Sequence, residues 1–366
     1  MGIGRYPNIP AINYYTSVRM NLAKLLEERE KSGTMKPLKS YLEEKEKNTE
    51  NMKNADLIIN KVISEVDDIF STSFQFDKTG KVPNVDDSAG LTFSDGRIKK
   101  GKEITTCVLF VDIRNSVALN NESYTETLGR IYTSFTKSVL RAAAHCNGYV
   151  RNIIGDRVMV VFPEDNCFQN AIDCAITINH IVQKVINPKL KNRDFKCGIG
   201  IDYGRMRCIK VGVEKHGTEN SDNKNLVWIG QPANMASRLC DQANKTIDNT
   251  TYIIEYNEPV FKRQGLLQSP SPGLGIDVRK VTKELSEKEF LDRMSSPLYK
   301  YVLSVKKNTT QYTHAPILVS KTVYNGFKSA CPNYNSIKNE TWKIDTQPIK
   351  DVTFDVYGHD LTWDLK

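Results

Sequence analysis

Four side chains in this sequence have types and spacings that could do chemistry together: two aspartates, an asparagine and an arginine. Asp112 lies near the end of the run ITTCVLFVDI, where a carboxylate following so many apolar residues must find a partner or remain near solvent. Asp156 sits in the Gly155-Asp156 turn of GYVRNIIGDRVMVVF, and on its own that pair is ordinary turn chemistry. Asn234 and Arg238 are one helical turn apart in PANMASRLC, so they share a face while Met235 and Leu239 point elsewhere. If the strands bearing Asp112 and Asp156 are neighbours, both carboxylates leave the sheet at one edge and can share cations. Carboxylate oxygens suit magnesium or manganese, which are commonly held by one or two such groups together with substrate phosphates. Two divalent cations about 4 Å apart would activate an attacking hydroxyl and hold a triphosphate with its leaving group. An amide can hold ribose oxygens in register, and a guanidinium can follow charge developing on phosphorus. The five histidines, His145, His180, His216, His314 and His359, form no close ligand pair.

The elements that must position these groups can be read from periodicity. ITTCVLFVDI is nearly continuous and β-branched, the pattern of a central strand. Leu128, Ile131, Tyr132, Phe135, Val139 and Ala143 predict a helix after it, and GYVRNIIGDRVMVVF predicts a hairpin turning at Gly155-Asp156. Phe168 to Val185 carries a second helical period. CGIGIDYGRMRCIKVG predicts another hairpin, turning at Tyr203-Gly204, then NLVWIG a short strand and PANMASRLC a helix opened by Pro232. APILVSKTVYNGF predicts a strand leading into a helix, and DVTFDVYG an edge strand. N-terminal to all this, Val18, Leu22, Leu25 and Leu26 begin one amphipathic helix, and Leu57, Ile59, Val62, Ile63, Val66, Ile69 and Phe70 mark another. The highly charged stretch 41–54 between them fits a surface helix or mobile segment. The resulting organisation is an N-terminal helical extension and connector over 1–100 and a catalytic domain over 101–366. An insertion of about 241–315 interrupts that domain. Hairpins alternating with helices predict an α+β open sheet covered by helices.

Composition narrows the class without naming a function. With 39% hydrophobic and 26% charged residues, the chain reads as a folded soluble protein. Fifty-one basic against 43 acidic residues give a formal charge of +8, a modest attraction for polyanions such as nucleotides. The basic clusters at 99–102 and 306–307 lack the interleaved aromatics of a nucleic-acid platform, so no nucleic-acid partner is expected. No uncharged apolar stretch approaches the 18 residues of a membrane helix, and the N-terminus has no signal-type core. Eight cysteines without a CxxC unit fit a reducing compartment, and a cytoplasmic location is expected.

Together the motifs resemble the class III adenylate/guanylate cyclase catalytic domain. FVDIRNSVAL at 110–119 is similar to its first metal motif and GYVRNIIGDRVMVVFP at 148–163 to its second. CGIGIDYGRM at 197–206 looks like its central hairpin, and WIGQPANMASRL at 228–239 like its transition-state helix. The likeness spans about 104–240 and resumes at 316–357. It implies a ferredoxin-type open sheet and two cations, Mg or Mn, on Asp112 and Asp156 with the Ile113 carbonyl assisting. Asn234 would then orient the ribose and Arg238 stabilise the pentacoordinate phosphate. It also implies a triphosphate-binding lysine near the C-terminus, for which Lys343 and Lys350 are both candidates. In that family the site forms between two catalytic domains, so a homodimer with two shared sites is implied.

The base pocket departs from the purine-using members. Where they carry Lys or Glu, three residues before the glycine of the turn, this chain has Asn152. Where they usually carry Asp, Thr or Cys, it has Val227. Losing both groups removes the usual purine hydrogen bonds, and Asn152 offers a donor and an acceptor that suit a pyrimidine edge. The chain therefore looks like the bacterial pyrimidine cyclases of antiviral defence. Those make cyclic CMP or cyclic UMP from a nucleoside triphosphate, and the product acts on a separate effector protein. Two other readings remain at this point: a cyclase using ATP, and an inactive cyclase-like domain used for dimerisation or sensing.

Overall fold

A computed structural model describes residues 38–92, 98–116, 125–190, 195–215, 218–262, 275–297 and 301–365. The chain divides into two compact units, Met1–Ser73 and Phe74–Lys366. The helix expected at Val18 to Leu26 lies outside the described residues. In the first unit a single helix, α1 (Leu38–Ser71), runs through the charged stretch and the apolar series alike. Its Leu57, Ile59, Val62, Ile63, Val66, Ile69 and Phe70 are all exposed.

In the second unit, β1 (Phe74–Lys78) leads to the long strand β2 (Lys99–Ile113), followed by α2 (Thr125–His145). The hairpin β3 (Tyr149–Ile154) and β4 (Arg157–Val161) precedes α3 (Cys167–His180), which continues as a wider π-type turn over Ile181–Ile186. Then come β5 (Cys197–Lys215), β6 (Thr218–Ile229) and α4 (Gln231–Gln242). The remaining elements are β7 (Thr246–Lys262), β8 (Gly275–Ser286), α5 (Glu287–Ser295), β9 (Val302–Thr313), β10 (Ile317–Ser320), α6 (Lys321–Ala330), α7 (Asn335–Lys338), β11 (Lys343–Ile344) and β12 (Val356–His359). The main sheet has nine strands in the order β11-β12-β10-β5-β2-β4-β3, with β1 paired to β2 and β6 to β5. It is mixed and open, with helices on both faces, as the α+β reading expected. No described helix is long and apolar enough to cross a membrane.

Alternation along β2 assigns the two faces. Cys107, Leu109, Val111 and Ile113 point into the larger core with Ile131, Phe135 and Val139 of α2, Ile172 and Ala175 of α3, and Val323 and Phe327 of α6. Ile104 and Val108 point the other way, against Met159 and Val161 of β4, Met206 of β5 and Ala236 of α4. Even-numbered positions of β2, Asp112 included, therefore lie on the α4 side. So do the odd-numbered positions of β4, which include Arg157. The α4 helix sits directly on β5 because Gly200 has no side chain. A Cβ there would lie 2.2 Å from both the Ala236 carbonyl oxygen and the Cys240 nitrogen.

Two local expectations are corrected. There is no turn at Tyr203-Gly204: β5 runs straight through it, pairing Gly204 with Thr106 in a ladder unbroken from Gly101↔Ile209 to Ile113↔Cys197. Gly204 instead leaves room for Pro232, whose Cγ would be 2.9 Å from an added Cβ, and the hairpin closes beyond Lys215. The last strand begins at Val356 and is not the edge, since β11 covers it. The segment 41–54, expected as a surface helix or mobile segment, is helical and continuous with the following apolar series in α1.

The stretch 246–313 builds a second sheet, β8-β7-β9, with α5 packed on it. Tyr252 stacks on Phe290 at 4.0 Å, and Arg293 lies over the Tyr256 ring at 3.8 Å. This sheet is tied to the C-terminal loop: His314 Nδ1 donates to Asp345 Oδ2 at 2.8 Å, and Asn249 donates to Gln347 at 2.8 Å.

Candidate active site

The two aspartates meet at one edge. β2 and β4 are antiparallel neighbours with Val111 opposite Val158, so the end of β2 and the β3–β4 turn come together. Asp112 is only 15% exposed in its side chain. Burial, and then the charge and direct contact of Asp112, push the Asp156 carboxyl above its ordinary range. Its buried Oδ2 has no hydrogen-bond partner among the described residues. Two acidic groups crowded together with an orphaned oxygen are what a divalent cation would relieve, so the pair fits the ions expected from the sequence. No group of three or more His, Cys, Asp or Glu side chains placed to hold a metal ion occurs among the described residues, and a hard cation on two carboxylates commonly takes its other ligands from phosphate oxygens and water. Ile113 is buried at the last β2 position, opposite Cys197.

Arg157 is the residue the sequence reading missed. Its Nη2 donates to Asp112 Oδ2 at 2.7 Å and also to the Asp241 carboxylate, while Nη1 donates to Ser237 Oγ at 3.1 Å. Burial alone would lower the guanidinium pKa, but the two carboxylates outweigh that and raise it. Arg114 adds a second cation, 4.0 Å from the same Asp112 oxygen, and donates to the Cys240 and Asp241 carbonyls. Two sequence signals were available. Arg157 follows Asp156 directly, and Ser237 and Asp241 stand four residues apart on the same helix as Arg238.

On α4, Met235, Ala236, Leu239 and Cys240 are buried against the sheet. Asn234 is exposed, and Arg238 leaves this edge to pair with Asp351 Oδ2 at 2.6 Å and the Lys350 carbonyl at 3.3 Å. Asp112 is thus linked through Arg157 to Ser237 and Asp241 of α4, while Arg238 engages the C-terminal loop. The same loop separates the two lysine candidates. Lys350 adjoins Arg238, whereas Lys343 lies in β11, on the strand pair that contains His359. Asn152 is exposed on β3 just after a register shift at Val150/Asn152. Val227 is 40% exposed on β6, opposite Ile209.

An open mixed sheet with two carboxylates at one strand edge, and an Asn and an Arg on the helix packed against it, is the arrangement that the resemblance to nucleotide cyclases implied. The sequence comparisons agree: residues 98–254 match the adenylate and guanylate cyclase catalytic domain. The chain is 30% identical over 185 residues to a uridylate cyclase of Burkholderia cepacia, covering 49% of this chain and 76% of that protein. It is 27% identical over 217 residues to a uridylate cyclase of Gulbenkiania mobilis, covering 56% and 78%. Among solved structures, the adenylyl cyclase CyaB from P. aeruginosa overlaps 70% of this chain and 94% of its own, at 14% identity and a TM-score of 0.40. The chain belongs to the adenylate and guanylate cyclase catalytic domain family, and it is a nucleotide cyclase by that membership. Members of this family work with divalent metal ions.

Proposed function

We propose that this chain converts a pyrimidine nucleoside triphosphate, UTP or CTP, to its 3',5'-cyclic monophosphate and pyrophosphate. The observation that carries the reading is the base pocket: Asn152 and Val227 stand where purine-using relatives place their base-reading groups. An exposed Asn can both donate to and accept from a pyrimidine edge, whereas Val227 offers no hydrogen bond to a purine. The similarity to two proteins named uridylate cyclase supports the same class.

Asp112 and Asp156, with the Ile113 carbonyl, would hold two Mg or Mn ions. When bound, these lower the pKa of the ribose hydroxyl and neutralise the triphosphate. Asn234 orients the ribose from its exposed position on α4. Arg238 exchanges Asp351 for the phosphorus centre, where its fixed fork follows the charge that builds as the ring closes. Lys350, on the loop that Arg238 touches, is better placed than Lys343 to meet the triphosphate.

Because the carboxylates and the Asn/Arg pair face different parts of the protomer, the working site is composed across a homodimer with two equivalent sites. The cyclic product then serves as a second messenger for a separate effector in antiviral defence, as in the bacterial pyrimidine cyclases the chain resembles. Incubation with each of the four ribonucleoside triphosphates and manganese, with chromatography of the products, tests the substrate. Cyclic UMP or cyclic CMP should dominate, and a dominant cyclic AMP product would refute the pyrimidine assignment.

A further inference from the structure

The guanidinium of Arg157 occupies the carboxylate edge that the proposed cations need. Asp112 Oδ2 accepts from Arg157 Nη2 at 2.7 Å, so a cation coordinated by Asp112 must share or take over that oxygen. The same Nη2 also donates to the Asp241 carboxylate, and Nη1 donates to Ser237 Oγ, both partners on α4. A guanidinium displaced from Asp112 would therefore remain paired rather than be stranded in a half-buried place, which is the condition for displacement to be cheap. Its position follows from the fold: Arg157 is the first residue of β4, its odd-numbered positions face α4, and Asp112 faces the same way from β2.

We propose that Arg157 is a positioning residue that acts as a resident counter-cation. It neutralises Asp112 while the site lacks metal, and it withdraws to Asp241 and Ser237 when divalent cations load. The inference rests on the metal role given above to Asp112 and Asp156. Its consequence is that metal affinity is set by a contest between the ions and Arg157 for one carboxylate, with Asp241 weighting the outcome. Metal loading is also felt on α4, because Ser237 and Asp241 flank Arg238 on that helix.

The test is a manganese titration of the full-length chain without nucleotide, read by the EPR signal of unbound Mn2+, alongside thermal melts with and without the ion. Arg157→Gln removes the competitor and should tighten Mn2+ binding about tenfold, equivalent to 1.4 kcal/mol. Asp241→Asn removes the charged half of the parking place, leaves Asp112 as the one carboxylate paired with the guanidinium, and should weaken binding about tenfold. The double variant should resemble Arg157→Gln. In the melts, Arg157→Gln should be less stable than the wild type without metal and gain more on adding Mn2+.

A structural brace would instead shift both single variants in the same direction, and that result, or no change in either, overturns the proposal. If Arg157→Gln does not fold, Asp241→Asn decides alone. Asp112→Asn separates the two levels of inference. If it abolishes Mn2+ binding while the Arg157 and Asp241 variants bind as the wild type does, only the Arg157 role falls. If it binds Mn2+ normally, the metal assignment and the Arg157 role fall together.

Discussion

At the residue scale, the decisive fact is that Asp112 and Asp156 crowd each other. On the proposed metal role of the pair, Asp112→Ala and Asp156→Ala should each reduce turnover about a thousandfold or more while circular dichroism stays unchanged. Arg238→Ala should lower kcat about a hundredfold to a thousandfold with a smaller change in KM, because its contact develops in the transition state. The pocket assignment predicts a gain as well as losses. Combining Asn152→Lys with Val227→Asp supplies purine-reading groups and should raise the ratio of ATP to pyrimidine turnover about tenfold or more, measured by competing the triphosphates in one reaction. The meeting of the aspartates at one edge was legible because a strand end and a hairpin turn fix where they lie, and the helix bearing Asn234 and Arg238 because Pro232 opens it. Arg157, Ser237 and Asp241 were not, since their meeting depends on which faces of β2, β4 and α4 oppose one another. Alternation within one strand says that residues share a side; only the pairing of strands says what they meet there.

At the element scale, the central strands and the three covering helices were readable from apolar period, whereas glycine was misread. Gly204 predicts a turn when taken locally, yet it serves the approach of Pro232, a contact between segments almost thirty residues apart. The long stretch 246–313 was opaque because its β7–β9 strands are largely exposed and polar, with few core positions to betray a period. Its role becomes visible through the links to the C-terminal loop. His314 and Asp345 are 1% and 2% exposed. Burial alone would raise the Asp345 carboxyl, but the His314 hydrogen bond and the Gln347 backbone N–H outweigh it and hold it below the ordinary 3.8. A carboxylate with a lowered folded pKa stabilises fully above its unfolded value, and the contribution is lost as the pH falls below 3.8 toward the folded value. Asp345→Asn should therefore cost about 1–3 kcal/mol at pH 7 in urea unfolding and flatten the acid limb of the stability profile. Because that loop continues to Lys350 and Asp351, the same variant should also raise KM for the triphosphate. Gly200→Ala should be worse, destabilising by about 2–4 kcal/mol in the same assay, since the added carbon meets helix backbone rather than a movable side chain.

At the scale of the whole molecule, the proposed homodimer makes a prediction that a self-sufficient protomer could not satisfy. Asp112→Ala and Arg238→Ala proteins, each inactive alone, should regain about a quarter of wild-type activity when unfolded and refolded together in equal amounts. Half of the random dimers are then mixed, and each mixed dimer keeps one intact site. Specific activity of the wild type should also fall on dilution through the dimer dissociation constant, which sedimentation can measure independently.

The bare contact between Gly200 and the backbone of α4 has one more consequence. Where Gly200 meets the helix there is no side chain to act as a compressible layer, so the backbone contact couples α4, with Asn234 and Arg238, closely to β5. In the proposed homodimer, tightening around a bound triphosphate would then come from one protomer rocking against the other, like two halves of a clasp whose teeth are fixed.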